Sequence, residues 1–265
     1  MKREKIMAES NAKFPDGAVL VIGASGGIGS KVAMTLSADG CDLALCYNRK
    51  RTAVDAVAKD VEQVGRRASL HHIDVTSPES INAGIDTAIE VHGRIHTLVW
   101  AAGPIASQVH LGETSLGQWR NAFEIEVHGL FATVQALLPH MRKKGGGSIV
   151  HLGSAGHLRW PDKDGLSVAP KAANESFLRG IAREEGRHNI RANSVLVGVI
   201  DAGMFHTLSG QGAFPQSWID ETQKMLAIKR WGEAEEIGYA VSFLASNRAA
   251  YITGQQINVS GGYGL

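Results

Sequence analysis

A glycine-rich stretch near the start of the chain constrains its fold more than any other feature. Gly23-Ala24-Ser25-Gly26-Gly27-Ile28-Gly29 directly follows the apolar run Ala18–Ile22, and Ile28–Ala38 then carries apolar residues at helical spacing. Glycines permit a tight turn and a close approach of backbone to a ligand. The start of the following helix offers free N–H groups and a partial positive charge. A strand, a glycine turn and a helix in this order suit the pyrophosphate of a dinucleotide.

Strand and helix patterns keep alternating after this unit. Strands are expected at Asp42–Cys46, Ser69–Ile73, His96–Trp100, Ser148–Leu152, Ile190–Leu196 and Gln256–Val259. Helices are expected through Val54, Val57 and Val61, at Glu79–Val91, from Gln118 to about Lys143, at Ala172–Glu185 and at Glu233–Ala245. Such alternation implies an α/β fold, a doubly wound parallel sheet of about seven strands with helices on both faces. Its ligand site lies beyond the carboxyl ends of the strands, where strand order reverses.

The 265 residues suit one such domain, assigned to 16–265 after a flexible tail at 1–15. Lys and Arg total 27 against 26 Asp and Glu, so no broad basic field exists for nucleic acid or an anionic membrane. No apolar run is long enough to cross a bilayer. The opening MKREKIMAES lacks the apolar stretch of a secretory signal. Cys41 and Cys46 form no CxxC pair and read as small core residues in a reducing compartment. A cytoplasmic protein is expected. The 11 histidines form no spaced cluster with carboxylates, so no metal site is expected.

The second strand ends Cys46-Tyr47-Asn48-Arg49-Lys50-Arg51. An NAD site usually carries Asp or Glu there for the ribose hydroxyls. Here Arg49 or Arg51 offers a forked guanidinium suited to a 2′-phosphate, which points to NADP(H).

The spacing Gly-x-x-x-Gly-x-Gly at 23–29 resembles that of the classical short-chain dehydrogenase/reductase family, with Ile22 where the family usually has Thr. The resemblance runs from Val19 to the end. Trp100-Ala101-Ala102-Gly103 stands where the family has Asn-Asn-Ala-Gly. Gly147-Ser148-Ile149-Val150 leads to Ser154 as the family's fifth strand leads to its active-site serine. Arg191–Val195, Arg230–Ile237 and Tyr251–Gln255 resemble its later signatures, and 3-oxoacyl-carrier-protein reductases are the nearest type. The resemblance implies a single-domain Rossmann fold and NADP(H)-dependent hydride transfer to a small-molecule substrate. It implies cofactor contacts from Gly23, Ser25, Gly26, Gly27, Ile28, Gly29, Asn48, Arg49, Arg51, Asp74, Val75, Ala101, Ala102, Gly103, Lys171, Val199 and Ile200. A helix-capping role for Thr76 or Ser77 is an equal reading of the segment after Asp74-Val75. The resemblance also implies a homo-oligomer, dimer or tetramer.

The catalytic pattern departs from the family at two positions. Ser154 and Lys171 are present, but Ser167 stands at the tyrosine position and Glu126 at the asparagine position of the long helix. The tyrosine phenol normally protonates the oxygen that hydride addition leaves charged, and serine is a weaker acid on a shorter arm. A relocated acid is one answer, with His157, Asp162, Asp164 and Glu126 as candidates. Another is a substrate that needs no acid, such as an iminium ion or an activated alkene. Two further readings stay open: a non-redox enzyme retaining NADP, with Ser167 and Lys171 as a nucleophile pair, and a catalytically silent cofactor-binding protein. Pro170 is expected to delay or kink the helix, leaving Lys171 in its first turn. The Gly- and Ser-rich segment Val199–Trp218 is expected to form a substrate lid.

Overall fold

The computed structural model describes residues 13–265. The chain alternates strands and helices as follows: β1 Ala18–Ile22, α1 Gly27–Ala38, β2 Asp42–Tyr47, α2 Arg51–Gln63, β3 Ala68–His72, α3 Pro78–His92 and β4 Ile95–Trp100. After β4 come α4 Leu116–Phe123, a π turn at Glu124–His128 and α5 Gly129–Lys143. The remainder comprises β5 Gly147–Ser154, α6 Gly165–Glu185, β6 Ile190–Val197, α7 Met204–Gly210, α8 Gln216–Met225, α9 Ala234–Ala245 and β7 Gln256–Val259.

The seven strands form one parallel sheet in the order β3-β2-β1-β4-β5-β6-β7. Strand order reverses between β1 and β4, whose registered ends Ile22 and Trp100 open the crevice there. Burial explains the near-continuous apolar strands, because helices cover both faces. One core packs Val19, Val21, Leu43 and Leu45 against α1, α2 and α9. The other packs Leu20, Ile22, Leu98 and Trp100 against α3, α5 and α6.

Three expectations are corrected. Residues 1–12 of the expected tail lie outside the described residues, but Lys13–Pro15 are anchored: Lys13 pairs with Asp39, and Phe14 packs onto the core 6.2 Å from His96. The expected helix from Gln118 to Lys143 is interrupted by the π turn, whose wider winding swings Glu126 fully inward. Finally, α6 begins at Gly165 and runs through Pro170, so Lys171 sits in its second turn. Proline removes one i→i−4 bond and crowds one carbonyl. Only one turn precedes it, and burial of Leu166, Val168 and Pro170 holds that turn in place.

The expected lid contains α7 and ends in the first turn of α8. Three of its rings cluster with Trp231 of the loop before α9. Phe214 lies 4.2 Å from Trp218 and 5.5 Å from Phe205, while Phe205 and Trp218 meet Trp231 at 5.7 and 6.3 Å.

Candidate active site

The glycine loop has the geometry of a cradle. Gly23 adopts φ +88°, and a Cβ there would lie 2.7 Å from the Ala101 backbone. A Cβ on Gly29 would meet the Gly23 carbonyl oxygen at 2.3 Å, and one on Gly27 would meet Gly203 at 2.5 Å. Helix α1 therefore starts as close to β1 and β4 as backbone allows, with the segment after β6 resting on its first turn. Gly26 caps α1 without a side-chain hydrogen bond, and no acidic residue stands in the first turn. These features fit an anionic pyrophosphate.

Beyond β2, Asn48, Arg49, Lys50 and Arg51 are all exposed. Arg51 is oriented by Asp55 at 2.9 Å and by the Tyr47 hydroxyl at 3.0 Å. Beyond β3, Asp74 Oδ1 accepts from the Thr76 amide and hydroxyl, and these bonds hold the carboxyl below its ordinary range. Ser77 caps α3 by accepting from the Ser80 amide, so the capping reading of this segment is met at Ser77. Val75 packs against Gly129, where an added Cβ would lie 3.0 Å from the Val75 carbonyl.

Ala101, Ala102 and Gly103 follow β4 directly. A Cβ on Gly103 would lie 2.5 Å from Glu126 Oε1 and 3.6 Å from Lys171 Nζ. Glu126 and Lys171 form a direct ion pair against this glycine, with the Glu126 side chain wholly buried. Trp100 Nε1 donates to the other carboxylate oxygen, Glu126 Oε2, at 3.4 Å. Asn174 Nδ2 donates to the Glu126 backbone carbonyl at 2.9 Å and reaches His151 Nε2 at 3.5 Å. Burial first, and then the Lys171 charge, pull His151 down to about 3, so it is neutral. With Nε2 accepting, its Nδ1–H donates to Ser194 Oγ at 3.3 Å.

Ser154 ends β5, and its Oγ accepts from the Gly156 amide at 3.0 Å. Ser167 is half-buried on α6, one turn before Lys171. Of the four candidate acids, the fold separates each from the others. Asp162 is exposed. His157 Nδ1 turns to Glu175 Oε2 at 3.0 Å. Glu126 is committed to Lys171. Asp164 precedes α6 and accepts from Gln108 Nε2 at 3.2 Å. Burial raises its carboxyl above the ordinary value, opposed by the Gln108 hydrogen bond and the Lys171 charge.

Glu175 was not legible as a site residue, since a glutamate within a helix reads as solvated. It lies beneath β5, where a Cβ on Gly153 would touch its Oε1 at 2.4 Å. Burial pushes its carboxyl up to about 7, against the hydrogen bond from Ser154 and the charges of Arg179 and Lys171. Gln256 on β7 also donates to it at 3.0 Å.

Comparison with known proteins places this arrangement. Residues 23–264 match the family model described as enoyl-(acyl carrier protein) reductase. The 3-oxoacyl-(acyl-carrier-protein) reductase FabG of Staphylococcus epidermidis is 30% identical over 244 residues, covering 92% of this chain and 97% of that protein. An L-rhamnose 1-dehydrogenase (NAD(P)(+)) of Sphingomonas sp. is 30% identical over 245 residues, covering 92% and 94%. Carveol dehydrogenase from Mycobacterium avium, solved in complex with NAD, superposes with a TM-score of 0.87 at 27% identity, covering 95% of this chain and 99% of that one. With its fold, its glycine cradle and these relatives in agreement, the chain belongs to the short-chain dehydrogenase/reductase family of oxidoreductases.

Proposed function

We propose that this protein is an NADP(H)-dependent oxidoreductase that reduces a small carbonyl, imine or activated alkene, with proton delivery that does not use a phenol at position 167. The observation that carries the reading is the placement of Lys171 beside Gly103, at the mouth of the crevice that the glycine loop opens. Bound NADPH supplies the hydride. Gly23–Gly29 hold the pyrophosphate, while Arg49 and Arg51 receive the 2′-phosphate beyond β2. Ala101, Ala102, Gly103, Val199 and Ile200 border the nicotinamide, and Asp74 and Val75 border the adenine. Ser154 donates a hydrogen bond to the substrate's polar atom. Lys171 binds ribose and Glu126 holds its ammonium in place. The working unit is a homodimer or homotetramer in the cytoplasm. The exposed Phe131, Tyr239 and Phe243 on α5 and α9 support the oligomer.

The test is NADPH oxidation across ketones, activated alkenes and preformed iminium ions, with NADH run in parallel. Consumption of NADPH with any of them supports the reading. A silent cofactor-binding protein is the second reading, favoured by the engagement of Lys171 with a buried carboxylate. Tight NADPH binding without turnover on the whole panel would decide for it.

A further inference from the structure

An aspartate at a helix N-cap ordinarily folds its carboxylate back onto the free amides of the first turn. Asp164 occupies that position on α6 and makes no such bond. Its backbone carbonyl accepts from the Ser167 and Val168 amides, at 3.0 Å each, while its side chain turns to Gln108 on the loop after β4. Leu111 on the same loop packs against Gly165, and Ala106, Val109 and Trp119 close on Leu166. The carboxyl is therefore held between two segments at the carboxyl edge of the sheet. One oxygen bonds Gln108, and the helix amides claim neither.

Sequence spacing places this group correctly for chemistry. Positions 164, 167 and 171 are three and four residues apart, so they follow one face of α6. Lys171 at the far end of that face touches Glu126 beside Gly103. Ser167, half-buried, lies between Asp164 and Lys171.

We propose that Asp164 is the catalytic acid of this protein, delivering the proton that a tyrosine at position 167 would otherwise deliver. This rests on the reductase reading above. In carbonyl reduction the substrate carbon takes the hydride and its C–O π bond breaks. The oxygen takes the carboxylic proton of Asp164, and the resulting carboxylate is reprotonated from the buffered solvent, so one solvent proton is consumed per turnover. The balance gives an alcohol and oxidised cofactor. Burial favours the protonated carboxyl, as an acid needs. The charged and titratable groups near it are Lys171 on its own helix and Tyr263 of the C-terminal segment. The Gln108 hydrogen bond and then the Lys171 charge oppose protonation.

The experiment compares Asp164→Asn with Asp86→Asn, an exposed aspartate on α3, and adds Ser167→Tyr to the Asp164→Asn background. Asp164→Asn is expected to lower kcat on a ketone by roughly a hundredfold or more, the scale of a lost general acid. The NADPH Kd should stay within about twofold, a change too small to register as a lost contact. Asp86→Asn should match the parent, and the added tyrosine should restore turnover. In the parent, kcat should fall as pH rises through the Asp164 midpoint. A second readout needs neither cofactor nor turnover. Carboxyl carbon NMR of the free protein should show one aspartate titrating above the ordinary range, and Asp164→Asn should remove that signal. Normal turnover in Asp164→Asn, or an ordinary titration of its carboxyl, overturns the proposal alone. A parent that oxidises no NADPH on any substrate overturns the reductase reading as well.

Discussion

Trp100 Nε1 donates a 3.4 Å hydrogen bond to Glu126 Oε2, joining the end of β4 to the π turn. The indole holds one carboxylate oxygen and Lys171 the other. A wholly buried carboxylate needs both partners to offset its lost hydration.

Glu126→Gln should therefore destabilise the fold. It leaves the Lys171 ammonium, whose side chain is 15% exposed, without its counter-charge. Breaking a buried pair from one side typically costs about 3 kcal/mol or more. Urea unfolding should show the loss, and the double variant Glu126→Gln/Lys171→Met should recover much of it. Equal stability of the single variant and the parent would mean that water already screens the pair.

Glu175 predicts a pH dependence of stability. Its folded value of about 7 lies above the ordinary 4.5, so between these values the folded state binds more protons than the unfolded chain. Stability should fall as pH rises through that window, by roughly 3 kcal/mol in all. His157 works in the opposite direction. Burial lowers its value, so its contribution grows as pH rises toward 6.5. Comparing Glu175→Gln with the parent from pH 4.5 to 7.5 isolates the glutamate. Parallel profiles would show that it is not protonated in the fold.

Gly27→Ala tests the contact between the phosphate loop and the segment after β6. The new methyl would arrive 2.5 Å from Gly203, backbone against backbone, and something must move. Alanine favours the helix itself by about 1 kcal/mol, so global stability should hold while cofactor affinity drops. Calorimetric titration should show NADPH binding weakened by about tenfold or more, or about 1.4 kcal/mol.

Cofactor choice is tested at Arg49 and Arg51. Replacing both with alanine should raise the NADPH Kd by about tenfold or more, with NADH little changed, because only the 2′-phosphate uses the guanidinium forks. Parallel losses for both cofactors would place the phosphate elsewhere.

Pro170→Ala should stabilise the protein by about 1 kcal/mol. It restores an amide to bond the Leu166 carbonyl, and the gain is reduced by the greater freedom of the unfolded chain. Thermal melting reads the shift, and a lowered melting point would show that packing of the buried ring outweighs the lost bond.

The sheet was largely legible because buried parallel strands read as unbroken apolar runs. The expected β7 agrees with the structure residue for residue, and β1 is buried throughout. The π turn was not legible, since apolar spacing continues smoothly across Glu124–His128 and only tertiary contacts reward the extra residue. Likewise Pro170 marked a later start for α6 by local rules, and burial of Leu166 and Val168 overrode them. For the site, the family resemblance pointed to Ser154, Lys171 and Glu126, but the contact between Lys171 and Glu126 was not legible. Four carboxylate and imidazole candidates looked alike in sequence. What distinguishes Asp164 is a bond to Gln108, fifty-six residues away. Glu175 escaped notice for a similar reason, because Gly153 and Gln256 bury it from other elements.

The stacked rings between α7 and α9 give the protein an optical signature of its own. Trp218 belongs to α8 and Trp231 to the loop before α9, and their indoles lie 6.3 Å apart at an interplanar angle of 32°. Two chromophores so close couple their excited states. Any swing of α8 away from Trp231 changes that coupling and the quenching it brings. Near-ultraviolet dichroism and tryptophan emission thus follow the position of α8 relative to Trp231 without an added label.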